Sequence, residues 1–422
     1  MALGRLWGSA CTLAMLWTVS GPLGSAGFGQ LTFYLALFMV LDALVDLGTG
    51  QATVQITANQ PEAVPRVLAR ARRTRLILGV LVALATGLLA FAMDEPGAGW
   101  IALAALYPIT HTLELSTVVL RNQIRWERLV LVRAVASAIS LGLVVLLIQL
   151  GEQRPTVILA AVATGSSLGN LGLHLISRPF LPKSGNWTPV PAGPFLRLAL
   201  PMGLAALCQQ LYFWQDNFFL RTYWDDATLG PYNLAVRCMS YGILLAVYAS
   251  SAAMPWLTRE HHAGHLGDAL ARITIPLLAL AAFSVGLVWP HGEAILGLFG
   301  EEFRVAGPSL RWLLLAALGV YLGAPWLTGV VALGRGRSVL GIAALALLVN
   351  LLGNLAWVPS EAGLGAARAT FLTEISVALL ACIELRRAGV SVLGRQRPLA
   401  RAAALIAAAN IFWLGRWTGL LF

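Results

Sequence analysis

The chain has 422 residues, of which 58% are apolar and only 11% are charged, and its mean hydropathy is +0.76. A soluble globular protein has about a quarter of its residues charged, so these values exclude an ordinary soluble enzyme and indicate a protein surrounded by lipid. The 42 Gly and 14 Trp agree with this, since small residues let membrane helices approach closely and Trp concentrates at the membrane interfaces.

The net charge of +10 comes from 29 Lys and Arg against 19 Asp and Glu. In a soluble protein this balance would suggest nucleic acid as a partner. Here only Lys183 is a lysine, and no basic run is interleaved with aromatics of the kind that grip single strands. We therefore expect no nucleic-acid partner.

Apolar runs long enough to cross a hydrocarbon core of about 30 Å predict twelve spans and one extra span. The first six lie near 6–24, 31–57, 75–93, 98–120, 129–150 and 155–177, the next six near 195–219, 229–256, 271–298, 309–333, 338–358 and 363–385, and the extra one near 399–421. The first run also imitates a cleavable signal peptide, with Arg5 before it and Gly24-Ser25-Ala26 after it. We interpret it as a helix.

Every second connection is basic, which by the positive-inside rule assigns it to the cytoplasm. The basic positions are Arg5; Arg66, Arg70, Arg72, Arg73 and Arg75; Arg121, Arg125, Arg128 and Arg133; Arg178, Lys183 and Arg197; Arg259 and Arg272; Arg335 and Arg337; and Arg386, Arg387, Arg395, Arg397 and Arg401. They comprise 22 of the 29 Lys and Arg residues. We predict a cytoplasmic amino terminus and a multi-pass protein.

A connector rich in Pro, Gly, Ser and Asn separates two sets of six spans. We predict an all-α membrane protein with two six-helix lobes, related by a pseudo-two-fold axis along the membrane normal, and one extra helix. The predicted parts are an N-lobe at 1–177, a cytoplasmic linker at 178–194, a C-lobe at 195–385, and a basic loop with the extra span at 386–422.

The motifs of common enzyme classes are missing from the sequence. It contains no P-loop, no H-E-x-x-H and no G-x-S-x-G. The four cysteines form neither a C-x-x-C pair nor a metal-binding cluster with histidines. We expect a protein that is not an enzyme and that uses no metal or other cofactor.

Two carboxylates occur inside the second span. Asp42 and Asp46 are four residues apart and share one helical face. An ionisable group at membrane depth is expensive and suggests a functional site. Repulsion between the two would favour a proton on one of them, as ion-coupled transport needs, whereas in the alternative one of them pairs with an arginine of another span.

Span 8 carries a polar stripe of Asn233, Arg237 and Tyr241 at i, i+4 and i+8. The forked donors of an arginine that faces a wet cavity can hold a phosphate. In the alternative, Arg237 forms a salt bridge with Asp42 or Asp216. Both interpretations stay open.

Further polar residues lie in spans 4, 7 and 12. Span 7 presents Gln209, Tyr212 and Asp216 on one face, and such amide and aromatic groups suit either sugar contact or interface anchoring. Glu114, three residues after His111 in span 4, and Glu374 in span 12 are candidates for ion coupling or for internal hydrogen bonds.

Five motifs, in the right order and at the right spans, resemble the polysaccharide transporter and O-antigen flippase family, in the superfamily that also contains multidrug extrusion carriers. They are FGQLTFYLALFMVLDALVDLGTG, LRNQIRWERLVLVRAVAS, WQDNFFLRTYWDDATLGPYNLAVR, ILGLFGEEFRVAGPSL and GLGAARATFLTE. Asp46, Asp216, Tyr232 and Arg237 fall at matching positions. The resemblance covers residues 28–385, and the chain departs from it in having thirteen predicted spans, where many relatives have twelve or fourteen.

The resemblance implies a monomeric carrier in the bacterial inner membrane that flips undecaprenyl-diphosphate-linked oligosaccharide, such as an O-antigen, lipopolysaccharide or exopolysaccharide repeat unit, to the periplasmic leaflet. The lipid bilayer and polysaccharide-assembly proteins, such as a polymerase and glycosyltransferases, would be its partners. Arg237 is then a candidate for the diphosphate, Asn233, Tyr241, Gln209, Tyr212 and Asp216 are candidates for substrate contact, and Asp42, Asp46, Glu114 and Glu374 are candidates for ion coupling.

Two other functions stay open. Spans 2 and 7 contribute three aspartates against the single arginine of span 8, which would suit a cation-coupled exporter of drugs or metabolites. A protein that serves only as a scaffold for polysaccharide-assembly enzymes is the third alternative.

Overall fold

The computed structural model describes residues 2–123, 126–181 and 189–392, and these residues form α-helices and short 3-10 segments without a strand. The helices of the first half are α1 (Ala2–Asp46), α2 (Thr49–Asn59), α3 (Val64–Ala92), α4 (Ala98–Ala104), α5 (Tyr107–Thr110), α6 (Val118–Asn122), α7 (Trp126–Gln149) and α8 (Pro155–Ser177). Those of the second half are α9 (Ala192–Trp214), α10 (Asp216–Tyr223), α11 (Asp226–His262), α12 (Leu266–Val288), α13 (Gly292–Gly297), α14 (Gly307–Ala332) and α15 (Gly336–Arg387).

Within the described ranges, nine helical stretches are long and apolar enough to cross a membrane. Two of these stretches, in α1 and α15, each contain two predicted spans joined directly across a kink. The predicted connectors between spans 1 and 2 and between spans 11 and 12 are therefore helical, which corrects the prediction. In α1 the kink lies at Gly24, whose φ of 62° suits a residue without Cβ, and in α15 it lies at Ala362. The predicted extra span at 399–421 lies outside the described residues.

Four predicted spans are broken inside their length, and one of them, span 9, consists of α12, a 3-10 segment at Trp289–His291 and α13. Span 2 breaks at Leu47 and Gly48 between α1 and α2, and span 7 breaks at Gln215 between α9 and α10. Span 4 consists of α4, α5, a 3-10 segment at His111–Thr117 and α6. A discontinuous membrane helix leaves backbone groups to be satisfied by other partners, so such breaks are tolerated where they are buried in protein or line a cavity.

The chain divides into two compact units, Met1–Gln210 and Leu211–Phe422. A core of Val67, Leu68, Leu120 and Phe195 lies in unit 1. A core of Leu257, Leu270, Trp326, Val330 and Leu385 lies in unit 2. The finer lobe and linker boundaries stay a prediction.

The break after α1 packs backbone to backbone against α9. Gly48 has φ 75°, and a Cβ on it would lie 2.2 Å from the carbonyl oxygen of Ala199. A Cβ on Gly203 would lie 2.2 Å from the carbonyl carbon of Leu47. Glycine at both positions is therefore required by the close approach.

Replacing Gly203 with Ala should destabilise unit 1, because the added methyl group has to displace backbone atoms rather than a flexible side chain. Overpacking of this kind costs about 1–3 kcal/mol. Thermal unfolding of the purified protein in detergent measures it. Gly142→Ala is the matched control, since a Cβ there meets nothing within 4 Å, and equal midpoints for the two variants would contradict the prediction.

Candidate functional site

A cavity of about 390 Å³ lies within unit 1. Its lining includes the charged side chains of Asp42, Asp46, Arg75, His111, Glu114 and Arg121, and the amides of Gln51, Gln209 and Gln210. The charged groups come from the end of α1, from α3 and from the 3-10 segment and helix of span 4. Two broken spans, together with the unbroken helix α3, therefore supply the charges of this cavity.

Asp46 and Arg75 form a salt bridge at the break between α1 and α2. The Arg75 side chain is only 6% exposed. Its Nε donates to Thr49 Oγ1 at 2.7 Å and its Nη1 donates to the His111 carbonyl at 3.2 Å. Asp46 also accepts the backbone N–H of Gly50 at 3.1 Å. Arg75 therefore joins α1, α2 and the 3-10 segment. Its pairing with Asp46 corresponds to the alternative in which an arginine of another span is the partner of one of the two aspartates.

His111 lies between two carboxylates. Its Nδ1 contacts Asp42 Oδ1 and its Nε2 contacts Glu114 Oε2. A neutral imidazole has one N–H donor, so both contacts are hydrogen bonds only when the ring carries two protons or one carboxyl carries one. One proton beyond those of a neutral imidazole and two carboxylates would therefore satisfy both contacts.

Glu114 has two arginine partners besides His111. Arg121 Nη2 donates to its Oε1 at 2.7 Å, and Arg133 Nη2 lies 3.0 Å from its Oε2. Arg121 and Arg133, which the positive-inside rule assigns to a cytoplasmic connection, are thus ion-pair partners of Glu114. Each carboxylate that lines the cavity has a cationic or imidazole partner. The net charge of the cavity is therefore less negative than the three aspartates of spans 2 and 7 suggest.

Unit 2 contains a second polar cluster, at the break between α9 and α10. Asp216 is 2% exposed. Its carboxylate accepts from Tyr232 Oη, from Asn354 Nδ2 at 2.8 Å and from Thr370 Oγ1 at 3.1 Å. The side-chain amides of Gln215 and Asn350 lie 2.6 Å apart. Three donors therefore satisfy this buried carboxylate, and the cluster links α10, α11 and α15.

Arg237 stacks over the indole ring of Trp214, with its Cζ 5.0 Å from the ring centroid. No hydrogen bond or ion pair joins its guanidinium to another residue in the described ranges, and Asp216 is occupied by the partners above. Trp214 Nε1 and Tyr241 Oη are buried and have no hydrogen-bond partner there. A stacked guanidinium beside two unsatisfied N–H and O–H donors is suited to an anion.

The remaining predicted residues have other surroundings. Asn233 donates to Asn217 Oδ1 at 2.7 Å, which joins α10 to α11. Tyr212 packs against the unit 2 core, whereas Gln209 lines the unit 1 cavity. Glu374 is 5% exposed, and among the described residues it has no hydrogen-bonding or ionic partner. The predicted face of span 7 is thus divided by the helix break.

Several residues of these clusters were not among the site residues predicted from the sequence. Arg75, Arg121 and Arg133 were assigned to topology alone. Asn350 and Asn354 were not singled out, although two amides four residues apart inside an apolar span are a recognisable signal.

Solved structures share this fold. A lipid II flippase MurJ in an inward closed conformation matches with a TM-score of 0.72 at 14% identity, over 100% of this chain and 99% of that chain. An inward-facing multidrug resistance MATE transporter of the MOP superfamily matches with 0.71 at 16% identity, over 90% and 95%. A MOP superfamily transporter from Pyrococcus furiosus matches with 0.68 at 17% identity, over 92% and 93%. The chain is therefore a polytopic helical membrane protein with the two-lobed fold of this superfamily.

Sequence models of two families match the chain. The model described as "Polysaccharide biosynthesis protein" matches residues 17–261, and the MatE model matches residues 201–356. Because the first covers more than half of the chain, the protein belongs to the polysaccharide biosynthesis protein family. A search of curated proteins found no match.

Replacing either Asp46 or Arg75 should destabilise the protein, and replacing Asp46 more strongly, because Arg75 would then keep a charge that is only 6% exposed without its counterpart, whereas Asp46 is 28% exposed. Breaking a buried pair from one side costs about 3–5 kcal/mol. Thermal unfolding of Asp46→Asn, Arg75→Gln and the double variant forms a double-mutant cycle. The double variant should lose much less than the sum of the single losses.

The exposed pair of Glu152 and Arg154 supplies the control for this cycle. Arg154→Gln should leave the unfolding midpoint unchanged, because a solvated ion pair contributes little to stability. Additive losses for Asp46→Asn and Arg75→Gln would show that the two side chains do not act as a pair.

Proposed function

We propose that the protein is a flippase for lipid-linked oligosaccharide, which moves polyprenyl-diphosphate-linked repeat units from the cytoplasmic to the periplasmic leaflet of the bacterial inner membrane by alternating access. The observation that carries this proposal is Arg237. It lies about 16 Å along α11 from the start of the helix, beyond the membrane interface, and has no anionic partner among the described residues.

The chemistry of a diphosphate fits this position. An arginine at membrane depth is expensive unless it faces a partner or a wet cavity. The planar guanidinium of Arg237 can donate two parallel hydrogen bonds to a phosphate, and Trp214 Nε1 and Tyr241 Oη are additional buried donors without partners among the described residues. Membership of the polysaccharide biosynthesis protein family supports a lipid-linked glycan as the source of this diphosphate.

The unit 1 cavity supplies groups for the glycan. Gln51, Gln209 and Gln210 line it beside carboxylates, and amides and carboxylates are donors and acceptors for sugar hydroxyls. A proton shared by Asp42, His111 and Glu114 is the candidate for ion coupling, with Asp216 and Glu374 in unit 2 as further candidates. A cytoplasmic amino terminus and a monomer, working beside polymerase and glycosyltransferases, complete the proposal.

Arg237→Ala should reduce surface glycan and vesicle translocation by about tenfold or more, because a charge-assisted hydrogen bond contributes about 1.5–3 kcal/mol. Arg237→Lys should retain only part of the activity, since an ammonium lacks the fork of donors. Surface glycan is measured in cells that depend on this protein, and membrane levels of each variant are measured alongside. Arg259→Ala, on the same helix, is the control, and full glycan export by Arg237→Ala would refute the diphosphate contact.

A cation-coupled exporter of drugs or metabolites is the second candidate, favoured by the three carboxylates of the unit 1 cavity. Asp42→Asn separates the two functions. A flippase that uses a proton shared by Asp42, His111 and Glu114 should lose gradient-driven translocation of lipid-linked oligosaccharide in vesicles and keep wild-type drug sensitivity. Lost drug resistance with intact surface glycan would instead identify an exporter.

A further inference from the structure

A second cavity of unit 1, of about 340 Å³, lies between the first turns of α1 and α7. We call it the vestibule. Its lining residues are Gly4, Gly8, Glu114, Thr117, Arg121, Leu129, Val130, Arg133, Ser137 and Leu173. It lies at the end of the bundle that the basic connections assign to the cytoplasm.

The vestibule borders the lipid-facing side of α7. Arg133 is 44% exposed, and Leu131 and Val135 on either side of it in sequence are exposed apolar side chains. Trp7 of α1 is exposed as well, and its Nε1 donates to the Ala134 carbonyl at 3.1 Å. An exposed tryptophan and arginine among apolar side chains are typical of the headgroup region of a bilayer.

The charge of the vestibule favours an anion. It is lined by two arginines and one carboxylate, and that carboxylate also contacts His111. Arg121 Nε is buried without a hydrogen-bond partner among the described residues. The Glu114 contact engages one nitrogen of Arg133, and no other described side chain accepts from its guanidinium. Donors of a forked, charged group therefore remain available.

The vestibule and the larger unit 1 cavity share the residues Glu114, Thr117 and Arg121. The ion pair of Arg121 and Glu114, 2.7 Å long, belongs to this common wall. An anion held by Arg133 and Arg121 would thus be separated from the larger cavity by the ion pair of Arg121 and Glu114. This pair can open when Arg121 donates to the anion in place of Glu114.

We propose that the vestibule is the docking site for the diphosphate of the lipid-linked substrate, with the polyprenyl chain remaining in the bilayer along the first turns of α1 and α7. This inference rests on the proposed function and extends it to the step before translocation. A diphosphate is favoured over the phosphate of a bilayer phospholipid because two guanidiniums match its greater charge, and because the common wall leads to the cavity that would receive the glycan.

The test measures binding of polyprenyl diphosphate without sugar to the purified full chain by native mass spectrometry, in an Arg237→Ala background so that the other proposed diphosphate contact does not contribute. Arg133→Gln should weaken binding about tenfold or more, as expected for a lost charge-assisted contact. Gly8→Leu should do the same without a change of charge, because a Cβ at Gly8 meets only Ser137 Oγ within 4 Å and a larger side chain fills the space.

Two matched variants are the controls. Arg128→Gln removes a cation of the same helix that stacks on Phe180 and does not line the vestibule, and Gly142→Leu adds the same side chain where nothing lies within 4 Å. Both should bind within about twofold of the parent protein. Unchanged binding by Arg133→Gln and Gly8→Leu would overturn the proposal, and equal affinity for phosphatidylglycerol would show a site for bilayer phospholipid only.

The probe carries no glycan, so this experiment is independent of the proposed function. Intact binding in the vestibule together with a failure to translocate lipid-linked oligosaccharide in vesicles would refute the flippase and leave the site standing. Translocation by a protein whose vestibule variants bind normally would refute the site and leave the flippase standing.

Discussion

The salt bridge between Arg75 and Asp46 holds unit 1 together at the position where its second span is interrupted. A broken membrane helix exposes N–H and C=O groups that lipid cannot satisfy. Here the Asp46 carboxylate accepts an N–H of α2, and Arg75 satisfies that carboxylate, the Thr49 hydroxyl and the His111 carbonyl together. The break in span 2, the 3-10 segment of span 4 and the cavity between them therefore depend on one buried guanidinium.

The same physical rule places the polar groups of unit 2. Asp216 begins α10 directly after the break at Gln215, and its carboxylate is surrounded by donors from α11 and α15. Arg237 differs from these groups, since an aromatic ring rather than a carboxylate lies against it. Buried acids in this protein are matched by donors, with Glu374 as the exception among the described residues. In the proposed function, Arg237, which has no anionic partner among the described residues, is the contact for an anionic ligand.

Both proposed anion contacts use arginine, and they differ in their surroundings. The side chains of Arg133 and Arg121 are 44% and 35% exposed, whereas Arg237 lies beside buried donors that have no partner among the described residues. In the proposed flippase, the first kind of contact would attract the diphosphate at the interface and the second would hold it at depth. Screening by water makes the first weaker and exchangeable, and desolvation makes the second stronger.

The sequence by itself determined the class of the protein, because the length of an apolar run and the side on which arginines accumulate are local properties that lipid imposes on any chain. It also singled out Asp42, Asp46, Glu114 and Arg237 as candidate site residues, since a charge inside an apolar run is visible without a structure. Only the tertiary structure decided which charges meet. Asp46 and Arg75 are 29 residues apart and Asp42 and His111 are 69 apart, and such pairs form because helix breaks bring distant segments together, which no periodicity along the chain encodes.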